Sequence, residues 1–221
     1  MKQLSRLKSY VKRSGRLTNS QKKYLEKKEH DINFFNSNKI FNSQELFNNT
    51  YSCILDIGFG DGKLLTNTAR KFQKLNFIGI EVYDAGIGNT LKQISENKIN
   101  NLKISNCDAI NFLEDHVIDN SLYGICLFYP DPWPKKKHHK RRIIDDNFLN
   151  LVSKKVNKNG FLKIATDWSN YADHIIKLLN KNNNFEKERD IYLFKDRILT
   201  KFEKRGILLG HRITELCYKV K

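Results

Sequence analysis

The residues best suited to chemistry in this chain form a proline-rich segment followed by a run of cations. Asp131 and Trp133 alternate with three prolines in residues 129–134, directly after the apolar run 122–128. Because proline fixes φ and lacks an amide donor, this segment is predicted to be a stiff loop leaving the end of a buried strand. Six Lys/Arg within residues 135–142 require an anionic partner. The combination favours an enzyme that acts on nucleic acid.

The net charge of +16 is concentrated in two clusters that contain no acid. Residues 1–25 hold eight Lys/Arg, and residues 135–142 hold six. Subtracting these 14 from the 40 Lys/Arg leaves 26 basic residues against 24 acidic ones. A compositionally biased genome would explain a diffuse excess of lysine, but it does not explain two acid-free clusters. The pattern therefore predicts a nucleic-acid partner that is bound through its phosphates.

The length of 221 residues predicts one catalytic domain, residues 49–221, preceded by a basic and partly helical arm, residues 1–48. The longest apolar run is too short to span a membrane. The basic start has no apolar core for a secretory signal, although its composition leaves a transit peptide as an alternative. The four cysteines lie far apart without a C-x-x-C pair. We therefore expect reduced, mostly buried thiols in a cytoplasmic protein and no metal site.

From residue 52 onward, short β-rich runs alternate with amphipathic stretches. Five β-α repeats predict a mostly parallel sheet with helices on both faces, and candidates at 190–195 and 212–220 bring the strands to seven. The predicted fold class is therefore α/β. The five repeats place strands at 53–57, 77–82, 102–107, 122–128 and 160–165, and helices at 62–72, 85–98, 109–116, 140–157 and 171–181. The charged segment 200–211 is predicted to be another loop of the site.

A glycine-rich turn, Asp-Ile-Gly-Phe-Gly-Asp-Gly at 56–62, joins the first predicted strand to the first predicted helix. Gly58 and Gly60 allow a tight turn and let a ligand approach the helix N-terminus. The spacing differs from the G-x-G-x-x-G of dinucleotide folds, which disfavours a nicotinamide dehydrogenase. Asp56, just before the glycines, would repel a pyrophosphate but attract an α-amino group.

Two further acids stand at the ends of the second and third predicted strands. Glu81 is placed to accept hydrogen bonds from both ribose hydroxyls, and Asp108 is placed to meet an adenine amino group. Together with Asp56 they fit S-adenosylmethionine, which carries an ammonium group, a ribose, an adenine and a sulfonium cation. The simpler alternative is that the acids only cap helices, which is common for one acid but less so for all three.

The substrate side is predicted from the next two strand ends. Asp131 and Trp133 follow the fourth predicted strand, and Asp167 and Trp168 follow the fifth. Because both loops open on the same edge of a parallel sheet, two carboxylates are expected to face one crevice with an aromatic residue near each. Trp133 could stack on a base or pack under its loop, and both alternatives stay open.

Several segments together resemble the bacterial tRNA (guanine-N7-)-methyltransferase family. The matching segments lie at 9–16, 56–62, 78–82, 130–142, 165–168 and 200–211. They follow one another along nearly the whole chain, and the blocks PDPWPKKKHHKRR and TKFEKRG are highly specific. Asp56 stands where the family usually has Glu, which shortens the reach to the cofactor by one methylene, and Tyr129 stands where Phe is more usual.

The resemblance implies a Rossmann-like, S-adenosylmethionine-dependent methyltransferase fold. The implied activity is methyl transfer to N7 of a guanine in the variable loop of tRNA, with another RNA as the alternative substrate. The implied cofactor contacts are Asp56, Glu81, Asp108 and Asp131. The implied guanosine contacts are Lys135, Asp167, Thr200, Lys201, Phe202 and Glu203. The implied RNA contacts are Lys137, His138, His139, Lys140, Arg141 and Arg142, the two histidines being interpreted as phosphate donors rather than metal ligands.

Guanine N7 carries an in-plane lone pair and no proton, so its methylation needs no obligatory general base and depends mostly on alignment. We expect Asp131, or else Asp167, to act as a catalytic anion by accepting hydrogen bonds from guanine N1 and N2. The simpler alternative is that Asp131 only caps the proline turn. Two other functions stay open: methylation of a small molecule or a protein, and RNA binding with a vestigial cofactor pocket. The oligomeric state is left open between monomer and homodimer.

Overall fold

The computed structural model describes residues 7–11, 15–27, 40–189 and 191–221. The strands are β1 (Cys53–Ile57), β2 (Asn76–Ile80), β3 (Leu102–Ser105), β4 (Leu122–Phe128), β5 (Val156–Thr166), β6 (Phe185–Lys187) and β7 (Thr214–Val220). The α-helices are α1 (Asn19–Glu26), α2 (Ser43–Phe47), α3 (Lys63–Lys71), α4 (Asp84–Glu96), α5 (Ala109–Asp115), α6 (Asp146–Lys155), α7 (Ser169–Lys181) and α8 (Lys201–Leu208). Short 3₁₀ helices cover Lys136–Arg141 and Tyr192–Phe194.

Within the described residues, seven strands form one sheet in the order β3-β2-β1-β4-β5-β7-β6. Strands β1 to β5 pair in parallel, whereas β7 pairs antiparallel with β5 and β6. The predicted seven-stranded, mostly parallel sheet is confirmed. The strand order reverses direction between β1 and β4, and ligands of such sheets bind in the crevice at that switch point. The glycine turn and the proline loop therefore border the same crevice.

Apolar side chains cover both faces of the sheet. One layer joins the sheet to α5, α6 and α7, and the other joins it to α3 and α4. Successive residues of β1 point to opposite layers, Ile54 to the second and Leu55 to the first, and both are buried. Burying such a side chain contributes about 2 kcal/mol, so the sheet is a rigid base for the loops at its carboxyl edge.

The predicted strand at 190–195 is wrong. The described part of this range contains the 3₁₀ helix Tyr192–Phe194, and the edge strand of the sheet is the earlier β6. Leu193 and Phe194 are buried against the second layer. These apolar side chains suggested a strand, but they are apolar because they pack in the core, and their backbone does not pair with the sheet.

The predicted helix at 140–157 begins later than expected, at Asp146. Asp145 is its N-cap, and its Oδ1 accepts a hydrogen bond from the Phe148 N–H at 2.8 Å. Ile143 and Ile144 have helical spacing relative to Phe148 but precede the cap, and they fill the core from an irregular segment. The aspartate cap, not the apolar period, fixes where this helix starts.

The segment 200–211, predicted to be a loop, is largely the helix α8. Thr200 and Glu203 form a capping box: the Thr200 Oγ1 accepts from the Glu203 N–H at 3.1 Å, and Glu203 Oε2 accepts from the Thr200 N–H at 3.2 Å. The Thr-x-x-Glu pattern is a recognised start signal for a helix. The prediction was wrong because the high charge density was given more weight than this signal.

Helix α1, within the predicted N-terminal arm, packs on α4. Gln21 of α1 donates from Nε2 to the Ala85 carbonyl of α4 at 3.2 Å. A Cβ on Gly88 would come within 2.8 Å of the Gln21 carbonyl oxygen, so α1 packs closely on α4. Residues 1–6, 12–14 and 28–39 of the arm lie outside the described residues. In the described ranges, no helix is both long and apolar enough to cross a membrane.

Candidate active site

The glycine turn between β1 and α3 leaves open space beside its backbone. Gly58 and Gly60 have φ angles of +74° and +61°, a region that side chains with a Cβ rarely adopt. A Cβ on either residue would meet no atom within 4 Å. Glycine is therefore required here by the backbone conformation, and the space beside it is wide enough for a ligand to approach the main chain.

Asp56 is a buried carboxylate with an unsatisfied oxygen. Its side chain is 5% exposed, and Oδ1 has no hydrogen-bond partner within the described residues. It borders a small internal cavity whose wall includes Leu65, Thr68 and Cys126. Burial and the nearby Glu81 carboxylate raise the pKa of Asp56 to about 7. An ammonium group that reached this oxygen would supply the missing donor and favour the ionised form, which fits the proposed cofactor.

We expect Asp56→Asn to make the cofactor-free protein more stable at alkaline pH. Because the pKa rises from 3.8 to about 7 on folding, the folded state holds this proton more tightly than the unfolded state. The resulting stabilisation is complete below pH 4 and is lost as the pH rises through about 7. The free energy of unfolding of the wild type, relative to the variant, should therefore fall by about 3 kcal/mol between pH 5 and pH 8. Urea denaturation at both pH values measures this difference.

The matched control is Asp115→Asn, which changes an exposed carboxylate at the end of α5. Its stability relative to the wild type should stay the same at the two pH values. If Asp56→Asn behaved like this control, the assignment of a neutral, buried Asp56 in the cofactor-free protein would be contradicted.

Glu81 directly follows β2 and holds the glycine turn in place. Its Oε2 accepts from the Gly60 N–H at 2.9 Å, and its Oε1 accepts from the N–H groups of Val82 at 2.7 Å and Tyr83 at 3.1 Å. Burial raises the pKa of Glu81. The three hydrogen bonds lower this pKa and the charge of Asp131 raises it further, so that the net shift is upward. The contact with Gly60 adds a structural role to the predicted ribose contact.

Glu81 lies within electrostatic range of two other predicted acids, Asp56 and Asp131. The carboxylate of Glu81 raises the pKa of Asp56, and the charge of Asp131 raises the pKa of Glu81. Asp56 stands on β1, Glu81 directly follows the adjacent strand β2, and Asp131 stands on the loop after β4. The structure thus brings Asp56, Glu81 and the exposed Asp131 to one place at the carboxyl edge.

Asp108 is the N-cap of α5. Its Oδ1 accepts from the N–H groups of Ile110 at 2.9 Å and Asn111 at 3.2 Å. The helix-capping alternative is thus realised for this acid. It follows β3, the next strand beyond β2, so it stands at the same edge of the sheet. An adenine contact would have to use the second carboxylate oxygen.

Arg142 is a structural residue that holds the proline loop. Its Nε donates to the Pro132 carbonyl at 2.9 Å, its Nη2 donates to Asn170 Oδ1 at 2.8 Å, and its guanidinium lies 4.6 Å from the centre of the Tyr171 ring. Only 4% of the residue is exposed. These contacts and the burial give Arg142 a structural role, and its predicted RNA contact stays a prediction.

Trp133 packs within its loop. Its indole Nε1 donates to the Ser9 carbonyl of the N-terminal arm at 3.0 Å. The Arg141 guanidinium lies 5.1 Å from the ring centre, and the His138 ring meets it edge-on at 5.8 Å. These contacts favour the second of the two predicted alternatives. The side chains of the 3₁₀ helix Lys136–Arg141 differ in exposure: the lysines are exposed, whereas the two histidines and Arg141 are half-buried.

Asp167, after β5, is paired with a residue that the sequence analysis did not single out. His211 Nδ1 lies 3.0 Å from Asp167 Oδ2. Gly206 of α8 lies against the same carboxylate, since a Cβ there would come within 2.9 Å of Oδ2. No local pattern marks His211, because its partner stands 44 positions earlier in the chain.

An ionic cluster, buried except for Glu215, fixes α8 to the sheet. Arg197 donates from Nη2 to Glu203 Oε1 at 2.9 Å and also pairs with Glu215 of β7. Lys163 of β5 pairs with Glu215 at 2.7 Å. Glu203 is 4% exposed, and its carboxylate is engaged by Arg197 and the Thr200 cap, so its role in the structure is to hold α8; its predicted guanosine contact stays a prediction. Sequence reasoning missed Arg197 altogether.

Comparison with known proteins places this fold among methyltransferases. A family model described as "Putative methyltransferase" matches residues 50–216. The aminoglycoside resistance methyltransferase NpmB1 superposes with a TM-score of 0.54 at 15% identity, over 80% of this chain and 91% of its own. An S-adenosylmethionine-dependent O-methyltransferase from Thermotoga maritima superposes with a TM-score of 0.52 at 13% identity, over 80% and 62%. The fold and the site define the chain as an S-adenosylmethionine-dependent methyltransferase.

Relatives with similar sequences show which family of methyltransferases the chain belongs to. The tRNA (guanine-N(7)-)-methyltransferase of Mannheimia succiniciproducens is 39% identical over 217 residues, covering 96% of this chain and 87% of the relative. The protein of the same name from Buchnera aphidicola subsp. Schizaphis graminum is 40% identical over 222 residues, covering 99% and 93%. The chain belongs to the tRNA (guanine-N7-)-methyltransferase family, which confirms the predicted resemblance, fold class and cofactor.

Proposed function

We propose that the protein transfers a methyl group from S-adenosylmethionine to N7 of a guanine in the variable loop of tRNA, forming 7-methylguanosine. The observation that carries this proposal is the meeting of three carboxylates, Asp56, Glu81 and Asp131, at a sheet edge bordered by exposed lysines. The family membership of the chain supports the same substrate. The lysines, on the segment after Asp131, provide the charge to hold a folded RNA.

The residues around the glycine turn have separate tasks in holding the cofactor. S-adenosylmethionine supplies a methyl group activated by a positively charged sulfur. We assign the ammonium group to Asp56, the ribose hydroxyls to Glu81 and the adenine to Asp108. Gly58 and Gly60 leave room for the ligand beside the main chain.

On the substrate side, the task of the protein is to orient guanine and to stabilise a growing positive charge. Methylation at N7 makes the base cationic and its N1–H and N2–H groups more acidic. A carboxylate that accepts hydrogen bonds from this edge therefore binds the transition state more tightly than the ground state. We assign this role to Asp131, with Asp167, held by His211, as the second candidate. Lys135, Thr200, Lys201 and Phe202 are the proposed neighbours of the guanosine.

The proposed RNA surface consists of Lys137, His138, His139, Lys140 and Arg141. We expect Lys140→Ala to weaken tRNA binding and to reduce the dependence of log Kd on log salt concentration by about one unit, because one released counterion is lost. Filter binding between 50 and 300 mM salt measures the slope. The control is Lys181→Ala. Lys181 lies at the C-terminal end of α7, away from the carboxyl edge of the sheet where the site lies. A salt slope unchanged from the wild type in Lys140→Ala would remove this lysine from the RNA surface.

The deciding experiment is methylation of unmodified tRNA with methyl-labelled cofactor, followed by identification of the labelled atom. We expect the label at guanine N7 in the variable loop. Label in another RNA but not in tRNA would support the alternative substrate, and label in protein or small molecules would contradict the proposal. Binding of S-adenosylmethionine without any transfer would favour an RNA-binding module.

We propose the cytoplasm as the compartment of this reaction. The four cysteines are free thiols in the structure, three of them buried, which suits a reducing environment.

A further inference from the structure

Helix α8 exposes an unusual amount of apolar surface at its C-terminal end. Ile207 is 49% exposed, Leu208 is 87% exposed and Leu209 is 61% exposed. Just before the helix, Ile198 and Leu199 are 40% and 45% exposed. Single exposed apolar side chains are normal, but a concentration of them in one short stretch is typical of an interaction surface.

Cations surround these apolar side chains. By helical spacing, Leu208 lies beside Lys204 and Arg205, which stand one turn earlier on the same face. Across residues 195–212, the exposed charged side chains are one acid, Asp196, and five cations, Lys195, Lys201, Lys204, Arg205 and Arg212. A second copy of this surface would be repelled by the like charges. Unstacked nucleobases, which are apolar on their faces and joined by phosphates, have the complementary chemistry.

The helix that carries this surface is firmly fixed beside the substrate crevice. Its N-terminus is held by the Thr200 cap and by the ion pair between Arg197 and Glu203. Its middle packs on Asp167 through Gly206, as the close approach of a Gly206 Cβ requires. The exposed C-terminal end of α8 is therefore held in a fixed position next to the proposed guanine site.

We propose that Leu208 and Leu209 form an apolar wedge that contacts the nucleobases left unstacked when the target guanine leaves the folded tRNA. The inference rests on the proposed function. Moving a base out of its stack costs a few kcal/mol, and apolar side chains of other nucleic-acid-binding proteins offset such costs by inserting between bases. The wedge would thus act on opening of the RNA, while Asp131 and Asp167 act on the guanine itself.

The test compares two substrates for the double variant Leu208→Ala/Leu209→Ala. One is intact tRNA, and the other is the same tRNA with the tertiary partners of the target guanine mutated, so that the guanine is already unstacked. We expect kcat/KM to fall about tenfold on intact tRNA and less than about threefold on the opened tRNA, since unstacking has already occurred there. The matched control is Ile118→Ala, an apolar residue that is 46% exposed and lies after α5, outside α8 and its flanking segments.

Four results would overturn the inference. Equal losses on both substrates would show that the leucines support binding or folding in general. Full activity of the variant on intact tRNA would show that they do not contact the RNA. A wild-type dimer in light scattering that the variant abolishes would assign the surface to a second copy. A wild-type protein inactive on both substrates would contradict the proposed function itself, and the wedge with it.

Discussion

Glu81→Gln is expected to weaken S-adenosylmethionine binding about a hundredfold. The carboxylate accepts hydrogen bonds from three backbone N–H groups, one of them that of Gly60 in the glycine turn. An amide in its place turns its two hydrogens towards backbone groups that are themselves donors, and it offers one oxygen where two accept hydrogen bonds now. Hydrogen bonds to a charged group contribute about 1.5–3 kcal/mol each, and the proposed ribose contact would be lost together with the turn geometry. Isothermal titration calorimetry measures the dissociation constant.

The control for this variant is Glu114→Gln, which neutralises an exposed acid on α5 without touching the glycine turn. It should bind the cofactor as the wild type does. If Glu81→Gln bound S-adenosylmethionine as tightly as the wild type, Glu81 would not contact the cofactor, and its role would be limited to its backbone hydrogen bonds.

Asp131→Asn is expected to lower kcat at least about thirtyfold, which corresponds to about 2 kcal/mol of lost transition-state stabilisation. Asparagine has nearly the same shape and is an equally good turn residue, so the proline loop should keep its conformation. What the variant lacks is the negative charge that stabilises the guanine as it becomes cationic. Single-turnover methylation under saturating tRNA and cofactor isolates this step from binding.

The same substitution separates the two interpretations of Asp131. If the residue only caps the proline turn, Asp131→Asn would retain near wild-type turnover. The control is Asp173→Asn, an exposed acid on α7. Because Asp131 also lies in range of Glu81, cofactor affinity should be measured in parallel, so that a loss of kcat is not confused with incomplete saturation.

The five strands of the parallel part of the sheet could be predicted because each is marked by its own apolar run. The predicted 53–57 and 122–128 coincide with β1 and β4, since both are buried on two faces and carry no competing signal. The carboxylates at the strand ends could also be predicted, because a parallel sheet brings those ends to one edge whatever the loops do. Errors occurred where a helix-capping residue was given too little weight. The caps at Asp145 and Thr200 are the two examples.

Other parts of the site could not be read from the chain because they depend on distant partners. Arg142 belongs to a run of cations, and only the packing on Asn170 and Tyr171 shows that it is internal. Arg197 and His211 have no distinguishing neighbours in sequence, and their roles follow from acids that other elements bring close. Tertiary pairing of this kind has no periodic signature, in contrast to helices and strands.

The ionic cluster of Lys163, Arg197, Glu203 and Glu215 has an evolutionary consequence. Lys163, Arg197 and Glu203 have buried side chains, and breaking a buried ion pair by removing one partner typically costs about 3–5 kcal/mol. A single substitution at any of these three positions is therefore disfavoured, although replacement of the whole cluster by apolar residues need not be. Glu215 is more exposed, so its removal costs less. Across the family we expect these four positions to drift together rather than one at a time, so that related sequences keep the set complete or exchange it as a unit.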